Sequence, residues 1–164
     1  MALAIGAGLA GCSVEDYSGT ELYPPDLARA RVEAAAEAAH AGDVHLVLTA
    51  RAENHIRGNP DLDDTIARLQ AYSKAGADVL FAPGLRSVEE IRAVCEAVDK
   101  PVNVLALGGL TFDEIAGAGA QRVSVGGALA WAGVTAFAAA AEAIRDRGDF
   151  SVLGSGSVLE AWRA

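Results

Sequence analysis

Three segments of the sequence share one layout when aligned on a glycine: residues 8–16, 76–84 and 119–127. In each, a glycine suited to stopping a helix precedes a short strand-like run. A chain that repeats helix end, glycine and strand must alternate α and β elements, because each unit has to bury a helix stripe on a strand face. Ahead of Gly76, residues 62–75 predict an amphipathic helix with Ile66, Leu69 and Tyr72 spaced for one face. Asp61 or Asp63 is placed to cap its start. Ahead of Gly8 stand only residues 1–7, which match the last turns of such a helix. The chain is therefore expected to begin inside a βα unit.

The alternation continues between and beyond these points. Residues 26–41, with Leu27, Ala30 and Val32, predict a helix, and residues 44–51 predict a strand ending in Arg51. A helix over 88–98 opens after Ser87, with Glu90 three residues on to complete a capping box. Pro101 begins a strand over 101–105, a position where proline forfeits no ladder donor. Helices are expected over 111–118 and 131–147, with a strand between them. Residues 149–157 read as an irregular tail before a last helical turn at 158–163. The expected organisation is a partial barrel over 1–148 and a C-terminal tail over 149–164.

Five strands, each followed by a helix, indicate an α/β fold with a parallel sheet. A doubly wound sheet binding an anion is one alternative, but no Gly-x-Gly-x-x-Gly loop follows any strand. The expectation is a partial (β/α)8 TIM barrel of about five C-terminal βα units, since a closed barrel takes about 250 residues and this chain has 164. A 52% hydrophobic composition with only 5% aromatics suits helices packed closely on a sheet through small residues. The net charge of −9 gives no positive field for a phosphate backbone, which excludes nucleic acid as an expected partner. No run is long enough for a membrane span. Leu9-Ala10-Gly11-Cys12 has the look of a lipoprotein cleavage box, but no Lys or Arg precedes it, as a secretory signal requires. Cys12 and Cys95 lie in apolar runs and are expected to be buried, reduced core residues of a cytoplasmic protein.

Barrel enzymes carry their chemistry at the C-terminal ends of strands and in the loops that follow. Here those positions hold Glu15 and Asp16, then Arg51, Glu53 and Asn54, then Pro83 and Gly84, then Asn103, then Ser124, Gly126 and Gly127. An acidic pair ending an apolar strand is costly unless it binds a cation or meets donors. Arg51 offers a planar fork matched to a carboxylate or phosphate. The plainer readings stand beside these: the acidic pair can cap a helix or sit solvated, and Arg51 can simply pair with it. His40 and His45 read as structural or exposed, His55 as a possible lining residue, and Gly126-Gly127 as a weak phosphate cradle.

Ser13-Val14-Glu15-Asp16, residues 47–53 (Val-Leu-Thr-Ala-Arg-Ala-Glu) and residues 75–81 (Ala-Gly-Ala-Asp-Val-Leu-Phe) resemble successive strand motifs of the isocitrate lyase/phosphoenolpyruvate mutase superfamily. Pro101-Val102-Asn103-Val104-Leu105 and Arg122-Val123-Ser124-Val125-Gly126 continue the match in order, up to about residue 148. The resemblance implies an enzyme that cleaves or forms C–C or P–C bonds in small 2-oxo or 2-hydroxy carboxylates. It implies Mg2+, with Mn2+ as a substitute, stabilising an enolate-like oxyanion. By the same resemblance Glu15 belongs to the metal shell, Arg51 is the catalytic and substrate-binding cation, and Asn103 and Gly126 line the substrate pocket. A homo-oligomer acting on a small carboxylate is the implied assembly.

The chain departs from the pattern in two places. No Ser-Ala-Asp-x-Glu-type stretch supplies the further metal ligands, and residues 17–23 lack the Lys-x-Cys-Gly-His motif of the true lyases. Weak metal binding, no isocitrate cleavage and an inactive isolated chain are the resulting expectations. The competing reading is a non-catalytic half-barrel that associates with itself or with a chain supplying the missing strands.

Overall fold

Period-two alternation sorts the side chains of each strand onto two faces. Cys12, Val14, Leu48, Ala50, Leu80, Val102, Val104 and Val123 turn one way, into a single apolar cluster with helix residues such as Val32, Leu69, Ile91 and Ile115. The computed structural model describes residues 1–154. Its strands are β1 (Gly11–Glu15), β2 (Val47–Arg51), β3 (Val79–Phe81), β4 (Val102–Leu105) and β5 (Arg122–Ser124). Its α-helices are α1 (Ala2–Gly6), α2 (Pro25–His40), α3 (Leu62–Lys74), α4 (Val88–Ala97), α5 (Phe112–Gly117) and α6 (Ala128–Arg147).

All strand pairs are parallel and the sheet order is β1-β2-β3-β4-β5. A doubly wound sheet reverses its strand order at a switch point; this one advances one strand at a time, as the wall of a (β/α)8 barrel does. The chain is thus a run of five barrel-type βα units, and the doubly wound alternative falls on strand order.

Local chemistry explains the helix ends. Asp61 accepts from the Asp63 and Asp64 N–H groups at 2.9 and 3.2 Å, capping α3. Ser87 and Glu90 form the expected capping box on α4, and Thr111 with Glu114 forms a second on α5 that the sequence reading did not single out. Gly76 and Gly119, with φ of 99° and 107°, hold the left-handed conformation that ends α3 and α5, and each sits where an added Cβ would press to 3.0 Å on a neighbour.

The chain divides into two compact units, residues 1–124 and a second from residue 125 onward. The second contains α6, ended by Gly148 at φ 61°. It starts at Ala128, three residues earlier than the sequence pattern placed it, because Ala128 and Leu129 are good helix formers directly after Gly127. The helical turn expected at 158–163 lies outside the described residues. Cys12 and Cys95 are free and only partly buried, rather than fully so. No helix among the described residues is long and apolar enough to cross a membrane.

Candidate active site

Register sets the site. Glu15 pairs with Arg51, Arg51 with Phe81, and Phe81 with Asn103, so these four side chains form one row that runs from the C-terminal ends of β1, β2 and β3 to the second residue of β4. They lie on the sheet face opposite the helix-packed cluster. On that face Gly11, Ser13, Glu15 and Val47 are exposed. Lower on it a cleft of about 480 Å3 is lined by residues including Ser13, Thr49, Val79 and Arg122.

The acidic pair at the end of β1 splits into two roles. Glu15 is half exposed, and its nearest cation is Arg51 Nε at 3.6 Å. Asp16, one residue on, faces the opposite way and is buried. Its Oδ1 accepts the Glu53 N–H at 2.7 Å, and its Oδ2 accepts from Tyr72 Oη at 2.6 Å and Arg68 Nη1 at 3.0 Å. Asp16 therefore meets donors, and it ties the end of β1 to the loop after β2 and to α3.

Glu53 is fully buried, with Arg51 Nε on one oxygen and Arg57 Nε at 2.9 Å on the other. The Arg57 guanidinium lies 4.1 Å over the Tyr17 ring, and that of Arg51 lies 5.1 Å over Phe81. Such a clamp holds the Arg51 stem in one orientation. No hydrogen bond within the described residues uses Arg51 Nη1 or Nη2, so its outer edge is free for a ligand.

Asn103 is buried, donates to Ser124 Oγ at 3.0 Å, and keeps Oδ1 without a partner. An orphaned buried carbonyl in the same row as Arg51 is the kind of acceptor a ligand hydroxyl or a water satisfies. Asn54 Oδ1 is likewise buried without a partner, but its amide nitrogen is committed to Thr65 Oγ1 at 2.8 Å and to two backbone carbonyls, which fixes it to the start of α3. His55 is nearly buried with Nδ1 unpartnered, and its Nε2 stands 3.8 Å from Glu90. Gly126 adopts φ 53° and falls in the second unit.

The sequence places Tyr72 with Ile66 and Leu69 on one face of α3 and does not single out Arg68. An arginine four residues before a tyrosine on an otherwise apolar stripe was the available signal, since a buried guanidinium requires a carboxylate partner. The Tyr72 phenol is pushed up from its ordinary range by burial and by the Asp16 carboxylate that it donates to. With the folded value above the unfolded one, near about 10, this contribution is whole below that pH and is lost as pH rises through the folded value. Tyr72 is therefore expected to ionise only as the chain unfolds. Phenolate absorbance of the native protein and of Tyr72→Phe should superimpose up to the onset of alkaline unfolding, and a native difference near pH ~10 would contradict this.

A parallel sheet in single-file strand order, with a carboxylate and a clamped arginine on its C-terminal rim, defines the class of chain as a (β/α)8-barrel type with its polar groups at the strand ends. The family model for phosphoenolpyruvate phosphomutase matches residues 1–145, and the chain belongs to that family, within the isocitrate lyase/phosphoenolpyruvate mutase superfamily. An uncharacterized Mycobacterium tuberculosis protein (strain ATCC 25618 / H37Rv) is 33% identical over 138 residues, covering 84% of this chain and 52% of that one. The oxaloacetate decarboxylase of Bradyrhizobium diazoefficiens is 33% identical over 153 residues, covering 85% of this chain and 48% of that one. A solved structure from Burkholderia cenocepacia J2315, classed provisionally as a lyase/mutase, superposes with a TM-score of 0.91 at 47% identity, covering 99% of this chain and 62% of that one. The chain spans about half the length of the curated relatives it matches.

Proposed function

We propose that this chain carries the arginine-bearing part of a site for small 2-oxo or 2-hydroxy carboxylates, in a lyase or mutase of the phosphoenolpyruvate mutase type. The observation that carries the reading is the Glu15–Arg51–Phe81–Asn103 row, which ends β1 to β3 and continues into β4, with Glu53 and Arg57 clamping Arg51 from behind. Decarboxylation and C–C cleavage, the activities named for relatives such as oxaloacetate decarboxylase and a 2-methylisocitrate lyase of Corynebacterium glutamicum, are the reaction class that fits.

Mg2+ is the implied cofactor, with Mn2+ as a substitute. Asp16 and Glu53 have their oxygens committed to donors, which leaves Glu15 as the carboxylate of this row able to face a cation. Mg2+ uses one or two carboxylates, keeps several waters and takes further oxygens from the substrate, so Glu15 fits as a single ligand, direct or through water. The bound ion would neutralise charge developing on an enolate oxygen. The chain's own residues do the rest. Arg51 grips the substrate carboxylate through Nη1 and Nη2, Phe81 closes the floor against water, and Asn103 Oδ1 accepts a substrate hydroxyl.

Oxalate, which resembles the enolate of pyruvate, tests the reading by titration calorimetry with and without Mg2+. The expected result is saturable binding weaker than ~1 mM, strengthened by Mg2+, with that gain lost in Glu15→Gln. Binding indifferent to Mg2+ would remove Glu15 from the metal shell.

A second reading rests on the exposed residues of the sheet face, on β1 as an edge strand, and on α6, where Leu129, Trp131 and Phe137 are exposed. Apolar surface and an unpaired edge of this kind favour association, so we infer a homo-oligomer or a partner chain that covers them. Light scattering on the calorimetry sample tests this through its mass.

A further inference from the structure

At the opposite end of the sheet from Arg51, two histidines and an aspartate converge without any part in the site above. His40 is the last residue of α2, His45 precedes β2, and Asp78 precedes β3. The Leu46 N–H donates to the Ala39 carbonyl at 3.2 Å, folding the intervening loop so that the two imidazoles stack with centroids 4.2 Å apart and planes 8° from parallel. His40 Nε2 lies 3.0 Å from Asp78 Oδ2, and His45 Nε2 lies 3.0 Å from Asp78 Oδ1.

We propose that His40, His45 and Asp78 form a binding site for a divalent transition metal of the Zn2+, Co2+ or Ni2+ type. One ligand atom from each residue lies within 4.8 Å of the other two. A tetrahedral ion holds nitrogen and oxygen ligands at about 2.0–2.2 Å, which sets the ligand atoms roughly 3.3 Å apart. The two N···O separations are near that, but each ring faces a different Asp78 oxygen and the stacked rings aim their lone pairs in parallel, so an ion is bound only as the two rings splay around it. Two imidazoles with one carboxylate favour a borderline-soft ion over Mg2+, whose preference is for oxygen alone.

A purely structural role accounts for less of the geometry. The Leu48 N–H already occupies Asp78 Oδ2 at 2.8 Å and is enough to join β2 to the start of β3. It does not require two stacked rings, each turning the same nitrogen to that carboxylate. That backbone bond instead serves as an outer-shell contact that aims the carboxylate. The side chains of His40, His45 and Asp78 are 29%, 57% and 25% exposed, which leaves an entry path and room for a water as fourth ligand.

The test uses the full chain, stripped with chelator and titrated with Zn2+ in saturating Mg2+, and Co2+ as a spectroscopic probe. One ion per chain is expected, with the visible d–d bands of four- or five-coordinate Co2+. His45→Ala, at an exposed position, should weaken Zn2+ at least ~10-fold, as should Asp78→Asn, while Glu15→Gln leaves Zn2+ binding unchanged. No saturable Zn2+ binding overturns the proposal. So does binding that survives in His40→Ala/His45→Ala or that falls in Cys12→Ser or Cys95→Ser. Because no residue is shared, failure here leaves the carboxylate site untouched, and failure there leaves this one.

Discussion

Asp16→Ala is expected to lower the unfolding free energy by about 3 kcal/mol, the lower part of the range for breaking a buried ion pair from one side. Total stabilities of single domains are only about 5–15 kcal/mol, so the variant should lose a large fraction of its stability while remaining mostly folded in the absence of denaturant. Three donors lose their acceptor at once: the Glu53 N–H, the Tyr72 hydroxyl and Arg68 Nη1. Arg68 is the costly one, because its guanidinium stays buried, and among the described residues Asp64 at 3.0 Å and the Tyr23 carbonyl at 3.2 Å remain to satisfy it. Those two survivors keep the cost near the lower bound. Asp16→Asn preserves the shape and one acceptor oxygen, but loses the charge and puts an NH2 donor where the second oxygen accepted, and should fall between wild type and Asp16→Ala. Urea unfolding decides it through a lower midpoint at unchanged slope. A shift within about 0.5 kcal/mol of wild type would mean that Asp16 is not the tie between β1 and α3.

The same residue shows where the sequence was informative and where it stopped. Two carboxylates ending an apolar strand had to bind a cation or meet donors, and that disjunction was readable. Which carboxylate did which was not. Strand parity turns Glu15 and Asp16 to opposite sides, but the donors awaiting Asp16 sit 52 and 56 residues later on α3. Only tertiary packing brings them together. The elements themselves were more legible, because their signals are local. Asp61, the Ser87–Glu90 box and Pro101 each act within one turn or one strand end. The His40–His45–Asp78 cluster was invisible for the same reason as Asp16. His40 and Asp78 are 38 residues apart, and they meet because α2 and β3 flank the same strand. Parallel βα units place residues of distant sequence position at each sheet end, so rim chemistry is the part of such a fold that sequence spacing reveals least.

Arg51→Ala is expected to weaken oxalate binding about 100-fold, near 2.7 kcal/mol, which takes it out of the calorimetric range, while the fold persists. The estimate follows from the free edge of the guanidinium. Two parallel N–H···O bonds to a carboxylate contribute roughly 1.5–3 kcal/mol each when charged, and part of that is offset by ordering the ligand. Arg51→Lys keeps the charge but not the fork, so it should recover only a minor share of the affinity. The structural consequences are milder. Glu53 keeps Arg57 at 2.9 Å as a counter-ion, and Arg57 stays stacked on Tyr17, so the buried carboxylate is not stranded. Circular dichroism should therefore report a native α/β chain in the same sample that fails to bind. The pattern separates two roles that geometry alone leaves joined. If Arg51→Ala and Arg51→Lys lose oxalate alike and remain folded, the planar fork is the recognition element. If oxalate affinity is unchanged while stability falls, Arg51 serves Glu53 rather than a substrate, and the carboxylate site must be sought on another part of the rim.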